Sequence, residues 1–363
     1  MNCSSLHRQR GRVSGIAVFV VLAALVLIGM FVGTSMLFDR SIREPIKGAY
    51  SAPANAAPTP GPVLATATEA VRSDAPPSPA GASVAAAPAA TSKSFSPPPE
   101  ESIPDNEYGK VIRLGEKVFT ETGKYAAKYV GNDLTCANCH LDAGRKHDSA
   151  PMWASFIHYP AFRSKTGQVD TLASRLQGCF QFSMNGKAPP QDDEIMTALQ
   201  TYAFFLAKGA PVGVPVDGSG YPKLKKPAQP ADYGRGEKVY AQNCALCHGP
   251  DGQGQRAADR QVFPPLWGAR SFNWGAGMHQ VNNAAGFIWA NMPLGKPKSL
   301  TEQEAWDVAT FMNSHERPQD PRFSGSIAET RKRFHDSPDS LYGVEVNGRV
   351  LGSGRDAPAG NRK

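Results

Sequence analysis

Two copies of Cys-x-x-Cys-His constrain this chain of 363 residues more than any other feature: Cys136-Ala137-Asn138-Cys139-His140 and Cys244-Ala245-Leu246-Cys247-His248. Two thiols one helical turn apart can reach the two vinyl groups of a porphyrin and form thioethers. The histidine that follows then points its imidazole at the iron. A zinc ribbon would space its paired Cys-x-x-Cys about 15 to 20 residues apart, whereas these two lie in separate repeats. A redox dithiol of the thioredoxin kind needs a βαβ setting, and no such pattern surrounds either motif. The chain is therefore expected to carry two covalently bound haems c.

Each motif closes the first half of a degenerate repeat. Gly115-Glu116-Lys117-Val118-Phe119 leads into the first and Gly236-Glu237-Lys238-Val239-Tyr240 into the second, which is followed by the loop Gly249 to Gly254. Each unit ends in an amphipathic helix. In the first, Ile195, Leu199, Tyr202 and Leu206 recur at helical spacing after Asp192 and Asp193, and Gly209 stops the run. In the second, Thr301 and Glu304 form a capping box ahead of the stripe Ala305, Val308, Ala309 and Met312. Strand patterns are scarce. The expected fold is all-α, with two tandem cytochrome c domains at 105–212 and 230–318, a connector at 213–229 and a tail at 319–363. In the tail, Val344 to Val350 carries a hairpin signal centred on Asn347-Gly348, with a loosely packed extension as the alternative.

The N-terminal third is of another kind. Arg8, Arg10 and Arg12 precede an uncharged stretch from Val13 to Phe38, longer than the roughly 20 apolar residues a spanning helix needs. It also exceeds the apolar core of a cleavable signal, about 7 to 15 residues, and Asp39 and Arg40 follow it directly. Residues 1–43 therefore read as a cytoplasmic tip and an uncleaved signal anchor, the arginines inside and the rest outside. A cleaved signal is the alternative. Residues 44–104, dominated by Ala, Pro, Ser and Thr, read as a disordered spacer. The head would stand on the periplasmic face of the inner membrane. A formal charge of +7 is modest for this length, and no aromatic-and-basic motif accompanies it, so nucleic acid is not expected as a partner.

An iron held by histidine has a second axial face. In the second unit the candidate is Met292, in a flexible loop before Pro293; Met278 is its rival, and Met312 suits helix packing. The first unit has no Met-Pro. In the equivalent interval stands Cys179. Of six cysteines, four belong to the haem motifs and Cys3 lies on the other side of the membrane, which leaves Cys179 a thiol with no disulfide partner. It is a candidate thiolate ligand; Met184, the weaker His158 and an inert buried thiol are the alternatives. Between Gly144 and Pro190, Arg145, Lys146, Arg163, Lys165, Arg175 and Lys187 outnumber Asp148 and Asp170. A pocket lined by such cations would focus a small anion on the thiolate.

With these residues in view, 108–318 resembles the dihaem thiosulfate dehydrogenases, or tetrathionate synthases. The segment Arg175 to Lys187, with Gly178-Cys179-Phe180 and Ser183-Met184-Asn185-Gly186, carries most of the likeness. Cys139 to Arg145, Asn291-Met292-Pro293 and Ala305 to Ala309 support it. The resemblance implies oxidation of two thiosulfates to tetrathionate, a reaction the same site could run in reverse. Electrons would leave through the second haem to an external acceptor, a c-type cytochrome. By the same likeness Cys179 is the distal ligand of the first haem and meets substrate, Arg175 and Ser183 contact substrate, and Lys165 stands where arginine is usual. Gln181 and Phe182 replace a more polar pair, which would alter the polarity of the pocket. The competing reading is a tethered electron shuttle without catalysis.

Overall fold

The structure, a computed structural model, describes residues 93–258 and 260–353. The expected anchor, most of the spacer and residues 354–363 lie outside the described residues. None of the described helices is long and apolar enough to cross a membrane.

Numbering only helices of seven residues or more, the first half contains α1 (Glu107–Thr120), α2 (Met152–His158), α3 (Leu172–Gly178) and α4 (Glu194–Leu206). The second contains α5 (Tyr233–Asn243), α6 (Val281–Asn291) and α7 (Glu302–Asn313), and the tail adds α8 (Ile327–Phe334). Asn106 caps α1 by accepting from the Gly109 amide, and Asp193 caps α4 through the Ile195 amide. The Thr301–Glu304 capping box is present in both directions. Ile195, Leu199, Tyr202 and Leu206 are buried as their spacing predicts, and so are Ala305, Val308, Ala309 and Met312.

The repeat has a packing explanation. In each half the first helix crosses the last at a glycine. A Cβ on Gly115 would lie 2.2 Å from the Ala198 carbonyl oxygen, and one on Gly236 would lie 2.1 Å from that of Asp307. The Gly-Glu-Lys-Val segment therefore marks the two places where backbones touch, and Val118 and Val239 lie on the buried faces beside them. Each half has its own apolar core.

Strands are limited to three two-stranded hairpins among the described residues. The first, β1 (Ala161–Arg163) with β2 (Gln168–Asp170), sets Phe162 opposite Val169, both exposed; the alternation turns the Arg163 side chain inward. The second is β3 (Gln255–Ala257) with β4 (Arg260–Phe263). The third, β5 (Glu345–Val346) with β6 (Arg349–Val350), is the hairpin read in the tail, with Asn347 and Gly348 at φ of 52° and 75°.

Three segments are more ordered than composition suggested. Residues 93–104, assigned to the spacer, lie on the first half: Phe95 packs edge-on against Trp153, its carbonyl meets His147 Nε2, and Arg145 donates to the Pro98 carbonyl. The connector is pinned as well, Asp148 and Ala150 donating to the carbonyls of Gly218 and Gly220. The tail packs on the second half through Tyr342, His335 and Leu351, all buried. The halves meet through Asn273, whose side chain donates to Gln181 and Asn185, through Asn291 Nδ2 on the Asp148 carbonyl, and through Asp133 paired with Arg256 and Arg270.

The crossing predicts its own test. Gly236→Ala drives a methyl into a backbone carbonyl and should cost about 1–3 kcal/mol by overpacking. Thermal unfolding should show this as a lower midpoint, while Glu237→Ala at the exposed neighbouring position should change it little.

Candidate active site

Each Cys-x-x-Cys-His forms a tight turn. Cys136–Asn138 is a single 3₁₀ turn, in which Asn138 Oδ1 accepts from the Thr135 amide at 2.7 Å and Thr122 Oγ1 accepts from the Cys136 amide at 3.2 Å. The turn 245–248 carries the second motif. In both, the imidazole Nδ1 faces a backbone carbonyl: His140 to Ala150 at 2.6 Å, His248 to Pro264 at 3.0 Å. Donation from Nδ1 fixes the tautomer and leaves Nε2 as the lone pair for a metal. Burial lowers His140 to about 4 and also lowers His248, so both rings are neutral, as iron ligation requires.

Two cavities receive these groups. The first, about 250 Å³, is lined by Cys136, Cys139 and His140 together with Arg175, Cys179 and Ser183. The second, about 320 Å³, is lined by Cys244, Cys247 and His248 with Met292. Each donor set offers two thioether positions, a histidine and a further sulfur within mostly apolar walls, which fits a haem c. Leu134, Cys139, Phe272 and Met278 line both cavities, so the two haem sites share a wall.

Cys179 owes its position to a change of helix type. The helix α3, capped by Thr171, runs into a π-helix over Cys179–Ser183; such wide turns often mark functional sites. Arg175, one turn earlier, donates from Nη1 to the Cys179 sulfur at 2.8 Å. Cys179 raises Arg175 further, so the guanidinium is a permanent cation beside that sulfur. Ser183 ends the π-helix on the cavity wall, its carbonyl held by Asn132 Nδ2.

The structure departs from the expected set at Lys165. Its ammonium donates to the Gly275 carbonyl and lies 3.9 Å from the centre of the Phe182 ring, outside the cavity lining. Burial, followed by Arg322, Arg175 and Arg163, lowers it to about 7. The second basic group on the cavity wall is Arg163, paired with Asp170 at 3.1 Å. Phe182 is not on that wall either: it packs on Gly275 between Lys165 and Arg322, so the pair Gln181 and Phe182 does not line the pocket. Of the other ligand candidates, His158 is absent from the lining, and Met184 lines the cavity as part of the apolar core. Met278 and Met312 join Met292 around the second cavity. Sequence reasoning missed Arg163 as a wall residue, although it stood in the basic cluster. It also missed Tyr221 of the connector, which lines the first cavity and for which no sequence pattern gave a signal.

Comparisons with known proteins agree with this geometry. Residues 122–212 match the family described as SoxA/TsdA, cytochrome c domain, and 231–312 match the one described as cytochrome C oxidase, cbb3-type, subunit III. The thiosulfate dehydrogenase of Thiomonas intermedia (strain K12) is 54% identical over 288 residues, 79% of this chain and 91% of its own. That of Stutzerimonas stutzeri (strain A1501) is 51% identical, covering 72% and 85%. Among solved structures, the thiosulfate dehydrogenase (TsdBA) from Marichromatium purpuratum superposes with a TM-score of 0.70 at 50% identity, covering 72% of this chain. This chain spans 58% of that longer one. With two haem c sites, a cysteine on the wall of the first and these relatives, the chain belongs to the thiosulfate dehydrogenase family.

Proposed function

We infer that this chain joins two thiosulfate ions into tetrathionate at the first cavity and sends the two electrons out through the second. The contact between Arg175 and the Cys179 sulfur carries the reading, because it sets a nucleophile and an anion-binding cation together in the cavity that also holds the haem histidine. Haems c held by Cys136, Cys139 and His140 and by Cys244, Cys247 and His248 would supply the electron-accepting chemistry.

The residues divide the remaining work. Arg175 and Arg163 hold the sulfonate oxygens of thiosulfate, and Ser183 donates a hydrogen bond to them. The sulfane sulfur bonds to Cys179 as two electrons leave, giving Cys179–S–SO₃⁻. A second thiosulfate attacks the same sulfane sulfur, tetrathionate departs, and Cys179 returns as thiolate. Lys165 contributes charge from behind Phe182 without touching substrate. His140 and Cys179 would hold the iron of the first haem, and His248 and Met292 that of the second. Met292 follows the last residue of α6 in extended conformation, whereas Met312 is fixed in the packing of α7.

The mouth of the second site suits an electron carrier. Leu246 lies between its two cysteines, Leu294 follows Pro293 and Val262 lines the cavity; all three are exposed. Such a rim favours brief docking of a small redox protein, in keeping with a c-type cytochrome as acceptor. The arginine-flanked apolar stretch 13–38 supports a head tethered on the periplasmic face of the inner membrane.

Three outcomes test the site. Cys179→Gly should abolish tetrathionate formation while the pyridine haemochrome assay still counts two haems per chain; full turnover in that variant would refute the reading. Arg175→Ala removes a charge-assisted contact worth about 1.5–3 kcal/mol, so kcat/KM for thiosulfate should fall roughly 10- to 100-fold. Lys165 is lowered to about 7, so its charge disappears as pH rises through neutrality and the pull on a dianion weakens. KM for thiosulfate should therefore climb across that range, and Lys165→Met should flatten the climb.

A further inference from the structure

Arg317, four residues beyond α7, is a buried cation that touches no carboxylate among the described residues, Glu316 acting on it only from a distance. It is fully buried, at 0% exposure, and enters none of the ion pairs formed among the described residues. Its donors meet neutral oxygens: the Leu266 carbonyl at 3.4 Å, the Met312 carbonyl at 3.3 Å and Asn313 Oδ1 at 3.1 Å, while Nε has no partner. Adjacent Glu316 turns its carboxylate to Trp274 Nε1 and to the amide of Ser353. Burial lowers Arg317 only to about 9, which leaves it charged at neutral pH.

A buried unpaired charge is costly, and an apolar side chain of the same shape would avoid that cost. The location of this one is informative. Leu266 and Met312, whose carbonyls it holds, both line the second haem cavity. The guanidinium lies 4.2 Å from the centre of the Phe272 ring, part of the wall shared by the two cavities, and 5.2 Å from that of Trp274. It touches neither substrate nor the haem ligands.

We propose that Arg317 is a fixed internal cation that raises the reduction potential of the second haem, making that centre the sink for electrons released at the first. Reduction adds one negative charge to a haem, and a cation separated from it by a single layer of side chains favours the reduced form. The intervening medium is protein, so salt screens the effect little. Net charge and burial are among the means by which a protein tunes such a centre. Asn313 presents a neutral oxygen where a carboxylate would cancel the effect.

The proposal rests on the second cavity being the electron exit, and a redox titration of the purified dihaem protein tests it separately from catalysis. Each haem is followed by its own charge-transfer band, thiolate-to-iron for the first and methionine-to-iron for the second. Arg317→Gln deletes the cation; Asn313→Asp leaves it in place and sets a carboxylate against it. Both should lower the midpoint of the second haem more than that of the first. At a fixed applied potential the ferrous-to-ferric ratio should change about tenfold, the effect of a unit charge over roughly 10 Å at an effective dielectric near 20. Arg317→Lys should preserve the midpoint. An unmoved second midpoint in Asn313→Asp, or a fall in Arg317→Lys as large as in Arg317→Gln, overturns the proposal. The expected shifts in a protein that does not oxidise thiosulfate would sink the enzymatic reading and leave this one standing.

Discussion

The close crossing of first and last helix in each half is what the rest of the head depends on. Each half must keep an opening of some 250 to 320 Å³ in an apolar core. At about 24 cal/mol per Å³, an opening of that size left empty costs on the order of 6–8 kcal/mol, comparable to the net stability of a whole domain. The frame around it must therefore be stiff. Gly115 and Gly236 supply the stiffness by letting backbones touch, so α1 with α4 and α5 with α7 act as paired beams. The covalently attached porphyrin then replaces the missing core.

On that frame the first site gathers cations in excess. Arg322, Arg175 and Arg163 all lie close enough to depress Lys165, while Asp170 pairs with Arg163 and Asp320 with Arg322. Asp320, held well below the usual carboxylate range by its bonds to His335 and Arg322, is committed to the tail. The surplus falls on the Cys179 sulfur and on whatever anion approaches it. The second site has no such cluster on its walls; its one nearby internal cation is set behind them.

What was legible in the sequence was local. The haem motifs, both amphipathic helices with their caps and the Asn347-Gly348 turn each depend on residues within a few positions, and each forms as its pattern implies. The pairing of Arg175 with Cys179 is also local, one helical turn, although family likeness was needed to give it meaning. Lys165 misled because likeness pointed to a position, whereas its ammonium is taken up by the Gly275 carbonyl and the Phe182 ring, and the cation on the cavity wall beside Arg175 is Arg163. The remaining gaps are tertiary. Tyr221 lies in a Gly- and Pro-rich stretch without periodicity, and the order in 93–104 and 319–353 comes from contacts with distant residues. Arg317 resembled an ordinary arginine at a helix end until its surroundings were known.

The tail has a consequence for how the molecule is assembled. Arg322 stacks 5.0 Å from the centre of Phe182, within the π-helix that opens with Cys179. Synthesis proceeds from the N-terminus, and early segments start to fold before later ones exist. The catalytic turn is thus made long before the residue that clasps it. The contact that clasps this turn can form only once the tail has been made, although the attachment motif of the first half is translated before that of the second.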